Sequence, residues 1–508
     1  MAILTNDFFD PTNTIPDAPI VNLIDSYTLE NAVYQQTTNL PPIIDGIIYR
    51  KRGNIYYVRR FSGDVNAGWF NLIPGEIYTN QLQHAVDTAK SLEKNLFIPA
   101  GSYAPQQVTK VPNGFKIIGA GVGITIFNNQ WTPTTEGVFE NKDEKLFTRF
   151  AIEGVSFVFN PRPFNITVHP VEGQISFCSF KNISVNNAEF FLKANRLFQV
   201  SELENIFIDH CEIGLIFEDF TANHNYFKNI TFSQCKKALT MKKGESNKFI
   251  NCRIEGFYDD NGLNPTSDFP QIYFDSVSTT NFDSCYFEGI NPKILEEVNS
   301  RNSISFTNCH FTGAREVDLG PWESFIFESD GILEFRNCEF GEAQPIFKCK
   351  TFINNYSERN FTSINFTERS PQRKRFTTPN YGCGNGGLKN LFFLYLPTNN
   401  LEDTSLYIIK VTVFRAEFAS NGVGNITEKQ YTISGNFIGA AVDYSIEQTF
   451  LKGEDKLAVT AESVNSGLLI SCDISTVFEP AERFVDLFSY SVEMDIVNNG
   501  NQLLLDIY

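Results

Sequence analysis

Of the 508 residues only three are Met, three Trp and five His. The ten Cys are dispersed, and no two stand closer than the 11 residues between Cys338 and Cys349. The C-x2–4-C pairs of a zinc site are therefore missing, even though His210–Cys211 and Cys309–His310 are neighbours. No apolar run approaches the ~20 residues of a membrane-spanning helix, so membrane insertion is not expected. Positive charge is scarce: 41 Lys and Arg against 59 Asp and Glu give a formal net charge of −18. A nucleic-acid partner, which calls for a basic footprint, is not expected either; a neutral or cationic glycan is compatible with this charge. Met1–Asp10 has neither a basic nor an apolar leader region, so no secretory signal is expected. The thiols are then expected to stay reduced and buried. G-x-S-x-G, Walker and H-E-x-x-H patterns do not occur. Gly119-Ala-Gly-Val-Gly123 fails as G-x-G-x-x-G because residue 124 is Ile, which predicts a tight bend instead. No cofactor and no metal are expected.

What the chain has in excess is Phe, 49 residues, a composition suited to strands that stack like on like. The excess is organised. Aligned on Cys178, Cys211, Cys235, Cys252, Cys285, Cys309 and Cys338, the residue three before is always Ile or Phe. The residue two after is apolar in all but one case, Lys237. An offset of three cannot keep both side chains on one face of a straight strand. The chain must turn a corner between them, and Asn251, Ser284, Asn308 and Asn337 are turn-forming residues at that point. Strand, sharp bend, strand, with Cys in a small interior slot, repeated at gaps of 33, 24, 17, 33, 24 and 29 residues, predicts a parallel β-solenoid with loop insertions. All seven cysteines are expected in the same slot.

Around this repeat the chain divides into three. Residues 1–60, rich in Pro, Asn and Asp, read as an extended arm followed by a hairpin of Ile43–Tyr49 and Asn54–Phe61. Residues 61–370 hold the solenoid, preceded by an amphipathic helix at 79–94 with Leu82, Ala85, Val86, Ala89 and Leu92 on one side. Ser370–Phe376 reads as a polar, basic linker. Regularly spaced alternating strands in 376–508 predict an antiparallel β-sandwich.

The helix, Phe97-Ile-Pro-Ala-Gly-Ser-Tyr103 and Phe115-Lys-Ile-Ile-Gly-Ala-Gly-Val-Gly-Ile-Thr-Ile-Phe127 together resemble the opening of pectate-lyase-like right-handed β-helices. Tyr57-Val-Arg-Arg-Phe61 and Ala67-Gly-Trp-Phe70 are similar to the segment before that opening in bacteriophage tailspikes. The acidic turn usual before the capping helix is replaced by Pro74-Gly-Glu-Ile-Tyr-Thr-Asn80. The resemblance implies a virion-associated homotrimer that binds, and in some members cleaves, bacterial surface polysaccharide, with the N-terminal arm attached to other virion proteins. A free polysaccharide lyase or glycoside hydrolase, and a purely structural virion component, are the alternative readings.

Paired carboxylates are the one catalytic chemistry the sequence offers, since glycoside hydrolysis needs one acid protonated and one ionised. The insertion Glu255–Pro270 carries Glu255, Asp259, Asp260 and Asp268 beside Phe257 and Tyr258. These four acids are the candidate catalytic residues; equally, Asp and Asn are ordinary turn formers. Arg253 and Glu255 have the residue types of a lyase centre, or of an outward salt pair two apart on a strand. The sequons at Asn182 and Asn229 fit rung turns.

Overall fold

The computed structural model describes residues 3–41, 44–128, 138–141, 146–159, 174–188, 190–194, 198–255, 270–289, 293–299, 303–313, 324–340, 344–355, 363–366, 372–377, 387–395, 404–419, 424–438, 441–452, 457–464, 467–474, 483–498 and 503–507. These residues form two compact units. The first comprises Met1–Phe220 and Lys228–Cys235, the second Thr221–Phe227 and Lys236–Tyr508.

The first unit begins with a short helix α1 (Thr5–Phe9) and strands β1 (Ile20–Ile24), β2 (Asn31–Thr37), β3 (Tyr49–Arg52) and β4 (Ile55–Arg60). The strands make one antiparallel sheet in the order β1-β2-β4-β3. The extended arm expected from composition is thus a small folded module. Its few aromatics explain the difference: Phe8 and Phe9 each meet Tyr57 edge-on at 5.6 Å, and Phe9 meets Tyr34 at 5.0 Å. Beside them Arg59 and Asp25 form a buried ion pair at 2.5 Å, with the guanidinium 3.8 Å above the Trp69 ring. The hairpin is present, but its first strand is displaced from the expected Ile43–Tyr49 to Tyr49–Arg52, with 44–48 outside any strand, and it turns at Gly53, whose φ of +57° a side chain would resist. Next, α2 (Gln81–Ser91) buries Leu82, Ala85, Val86 and Ala89, the stripe legible in the sequence.

Parallel rungs follow. Ile152, Phe180 and Leu203 stand in register, as do Val155, Ile183 and Ile206, and Phe157, Val185 and Ile208. All nine point inward and are buried. Each of these strands bends midway at a left-handed residue, Gly154, Asn182 or Asn205, with φ of +70°, +52° and +55°. Asn tolerates this conformation better than most residues do. The bend also aligns the amides: Asn205 Nδ2 donates to Asn182 Oδ1 at 3.0 Å, and Asn229 Nδ2 to Asn205 Oδ1 at 2.8 Å. Near the start of the stack, a Cβ on Gly119 would lie 2.2 Å from the carbonyl oxygen of Gly154, so this tight bend requires glycine.

The second unit repeats the plan with larger side chains. Phe249, Phe282, Phe306 and Phe335 form one in-register ladder, and Ile254, Phe287, Phe311 and Phe340 another. Successive rings of the first ladder lie 4.6, 5.0 and 5.0 Å apart with planes within 14° of parallel.

The corners are where the sequence reading holds most closely. The residue before each of the seven cysteines has positive φ: Phe177, His210, Gln234, Asn251, Ser284, Asn308 and Asn337, all between +50° and +56°. Every one of these cysteines is buried as a free thiol. The thiols also act as weak donors. Each lies 3.4–3.6 Å from the carbonyl oxygen two residues back, as in Cys252 to Ile250 and Cys309 to Thr307. Most reach a second carbonyl on the preceding rung, as Cys338 does to Phe306 at 3.3 Å. A small, apolar, weakly donating side chain is what a sharp interior corner can accept.

The seven do not, however, share one slot. In the first unit Cys178 lies in the column of Phe150 and Ser201. Cys211 and Cys235 lie in a different column, with Ala188. In the second unit Cys252, Cys285, Cys309 and Cys338 share a single column. Corners of one local geometry select one local sequence, so an alignment by motif merges them. Lys237, the exception to the motif, and Ile213 both follow the Ala188-type corner and are only half-buried.

Toward the C terminus the parallel order gives way to two antiparallel sheets. One runs 372–377, 483–498, 404–419, 424–438, 441–452 and the other 363–366, 503–507, 387–395, 467–474, 457–464. Tyr407, Ile409, Val411 and Val413 are buried on the first sheet, alternating with exposed Leu406, Ile408 and Lys410. Tyr431 and Tyr444 send hydroxyls across to carbonyls of Leu457 and Ala461 on the second, as does Tyr490 to Leu391. The expected sandwich is therefore present. The basic segment read as a linker is a strand, Gln372–Thr377. One edge of it pairs parallel with Thr351–Asn355 and the other antiparallel with Ser491–Ile496.

Candidate functional site

Four short strands of the second unit carry the site: β5 (Arg253–Glu255), β6 (Tyr286–Gly289), β7 (His310–Gly313) and β8 (Glu339–Phe340). Each starts one residue after a corner cysteine. Strand alternation sends Ile254, Phe287, Phe311 and Phe340 inward, and so turns their neighbours outward. Arg253, Tyr286, His310 and Glu339 form one outward column, and Glu255, Glu288 and Thr312 the next.

Parallel register brings these side chains together. The rings of Tyr286 and His310 stack with centroids 5.3 Å apart and planes 5° from parallel. On the other side of Tyr286 the Arg253 guanidinium lies 5.5 Å from the ring centre. His310 Nδ1 is 2.9 Å from Glu339 Oε2, and its Nε2 is 2.5 Å from Thr312 Oγ1. The Tyr286 hydroxyl donates to Glu288 Oε2 at 2.8 Å. Burial pushes the Tyr286 phenol above its ordinary pKa, helped by the Glu288 carboxylate that accepts its proton and by the charge of Glu255, while a hydrogen bond with Thr312 acts the other way. The phenol oxygen, Thr312 Oγ1, His310 Nε2 and a Glu288 oxygen therefore converge on one patch that solvent can reach.

Of the four acids singled out from sequence, Glu255 belongs to this cluster. Asp259, Asp260 and Asp268, with Phe257 and Tyr258, lie outside the described residues. Glu255 pairs with Arg253, the former about a quarter exposed and the latter more than half. This is the outward salt pair, and it leaves Arg253 engaged rather than free to act as a base. His210, considered for metal beside Cys211, turns away from the thiol face and pairs with Asp209 at 2.8 Å. Among the described residues no group of three or more His, Cys, Asp or Glu is arranged to hold a metal ion.

Tyr286, Glu288, Thr312 and Glu339 were missed by the sequence reading, and His310 was weighed there only as a metal ligand beside Cys309. The signal was available, since all five occupy positions one or three residues after an aligned cysteine. A second outward cluster is built the same way: Tyr273, Glu296 and Glu328 stand in register, and Lys293 bridges the two carboxylates at 2.9 and 2.7 Å. Its charges are satisfied internally, which favours the first cluster as the open site.

The fold defines the class, an all-β chain with a parallel β-helix and a C-terminal antiparallel sandwich. No protein-family model and no curated protein matches the sequence. Among solved structures the chain is similar to the enzymatically active domain of tailspike protein 2 of bacteriophage CBA120, at 11% identity and a TM-score of 0.49, over 100% of this chain and 92% of that one. It is also similar to Pantoea stewartii WceF, described as a glycan biofilm modifying enzyme with a tailspike-like parallel β-helix, at 11% identity and a TM-score of 0.42, over 94% and 68%. A third is the tailspike gp49 of Acinetobacter baumannii bacteriophage Fri1, described as a capsular polysaccharide depolymerase, at 11% and 0.36, over 98% and 100%.

Proposed function

We propose that the chain is a virion-associated tailspike or receptor-binding protein that engages bacterial surface polysaccharide at the shelf built by β5–β8. The observation that supports this most is the shelf itself. Donors and acceptors from Arg253, Tyr286, Glu288, His310 and Thr312 crowd one solvent-facing patch on rigid strands. A ligand dense in hydroxyl groups matches such a patch, because each sugar hydroxyl both donates and accepts. Rigid strands also hold these groups at little cost in ordering on binding. Assembly as a homotrimer and attachment to other virion proteins through the N-terminal module belong to the same proposal.

Binding of the chain to purified host capsular polysaccharide, by biolayer interferometry beside a light-scattering mass, tests it. Saturable binding that Tyr286→Ala lowers at least tenfold, in a species near three times 57.5 kDa, is the expected result. A monomer that releases reducing ends would instead favour the free enzyme. A trimer with no affinity for any surface glycan would favour the structural component.

A further inference from the structure

We infer that Thr312, His310 and Glu339 form an acyl-transfer relay that removes O-acyl groups from a glycan. The choice of glycan as carrier rests on the function proposed above; the relay itself rests on geometry. Nucleophilic catalysis by a hydroxyl needs a base within hydrogen-bond reach and a third group that orients the base. Thr312 Oγ1 lies 2.5 Å from His310 Nε2, and Glu339 Oε2 lies 2.9 Å from His310 Nδ1. A carboxylate can only accept, so Nδ1 carries a proton, and in the neutral ring Nε2 then offers its lone pair to the Thr312 hydroxyl. The imidazole cannot swing away from this line without losing its parallel stack on Tyr286. Two side chains merely sharing a strand face would not require both ring nitrogens to be engaged on opposite sides.

The chemistry balances without any further reagent but water. Thr312 Oγ adds to the carbonyl carbon of an ester as its proton passes to His310 Nε2. The tetrahedral oxyanion collapses, the bond to the sugar oxygen breaks, and that oxygen takes the proton from Nε2. Water then adds to the acyl-threonine with Nε2 as base, releasing the carboxylic acid and restoring the Thr312 hydroxyl. The phenol of Tyr286, kept protonated by burial and by Glu288, lies beside Thr312; its single proton is donated to Glu288, and it meets the oxyanion by turning from that carboxylate.

The test uses the full chain with 4-nitrophenyl acetate and with an O-acetylated bacterial polysaccharide, following nitrophenolate and acetate. The expected result is hydrolysis of both, with an acetyl adduct trapped on Thr312 and read by peptide mass spectrometry. Thr312→Val and His310→Gln should each lose at least 10²-fold, Thr312→Ser should retain activity, and Glu339→Gln should fall ~10-fold or more. Thr312 and His310 are outward-facing, so these variants should keep the native circular dichroism spectrum; Thr312→Ser guards against a purely structural loss. Wild-type rates equal to those of Thr312→Val, or an adduct elsewhere, would overturn the relay. Ester hydrolysis without polysaccharide binding would keep the relay and sink the glycan reading, whereas polysaccharide binding without hydrolysis would do the reverse.

Discussion

Asn308 is an exposed corner residue with φ of +53°, next to buried Cys309. It accepts an amide hydrogen bond from Asn337 at 3.4 Å and donates one to Asp283 at 3.3 Å. If the left-handed corner governs its choice, substitution should invert the usual preferences of a strand. Asn308→Gly loses two exposed hydrogen bonds but meets no steric penalty, and should cost about 0.5 kcal/mol or less locally. Asn308→Ala forces a Cβ into the left-handed region at ~1–2 kcal/mol. Asn308→Val, β-branched, should cost more still. In an ordinary exposed strand the order would be reversed, with Val most stable and Gly least. Because the chain contains two units, a single global unfolding energy is ill-defined, and local opening is the better readout. Hydrogen exchange of peptides spanning 303–313 should therefore accelerate little for Gly and roughly tenfold for Ala, with Val fastest. Slower exchange in the Val variant than in Gly would refute the corner argument.

Other consequences are as direct. Phe306, fully buried and stacked at 5.0 Å on both Phe282 and Phe335, should cost ~3–5 kcal/mol as Phe306→Ala, read as enhanced exchange and proteolysis across the neighbouring rungs. Asp25→Ala would leave Arg59 buried without its carboxylate, so ~3–5 kcal/mol of the N-terminal module's stability should disappear, as seen in its melting by circular dichroism. Burial pushes the Cys178 thiol and the Tyr103 phenol each up to about 12, from 9.0 and 10.0. Both favour the neutral form in the fold, so their contribution is complete below the unfolded pKa and fades as pH rises through 12. Stability should thus fall over roughly pH 9 to 12, and Cys178 should resist thiol reagents at pH 8 until denaturant is added.

The solenoid was legible because its corners and its interior constrain the same residues: a residue at positive φ, Asn or Ser at four of the seven corners, with Cys behind it and Phe or Ile three before that Cys. What the motif could not supply was column identity, since it encodes local geometry and not which strand lies above which. The N-terminal module escaped because its core is built from a handful of aromatics separated in sequence, Phe8, Phe9, Tyr34 and Tyr57, among residues typical of loops. In Ser370–Phe376 charge concealed a strand, for alternation is hard to see where most side chains are polar. The candidate site fell between these cases. Its inward partners announced the rungs, yet the chemistry resides in the outward residues that any solenoid leaves free to vary.

The strand Gln372–Thr377 faces two kinds of neighbour, parallel on one side and antiparallel on the other. A stack of parallel rungs offers its last edge to any matching strand, including the first rung of another copy, and can in principle grow as a fibre. Here that edge is occupied from within the chain by a strand whose far side already belongs to a sandwich. The C-terminal strand Arg483–Asn498 therefore acts as a terminator as well as a wall of the sandwich. A chain truncated before residue 483 would keep most of its rungs and lose the feature that limits their number, so its failure would be polymerisation rather than simple unfolding.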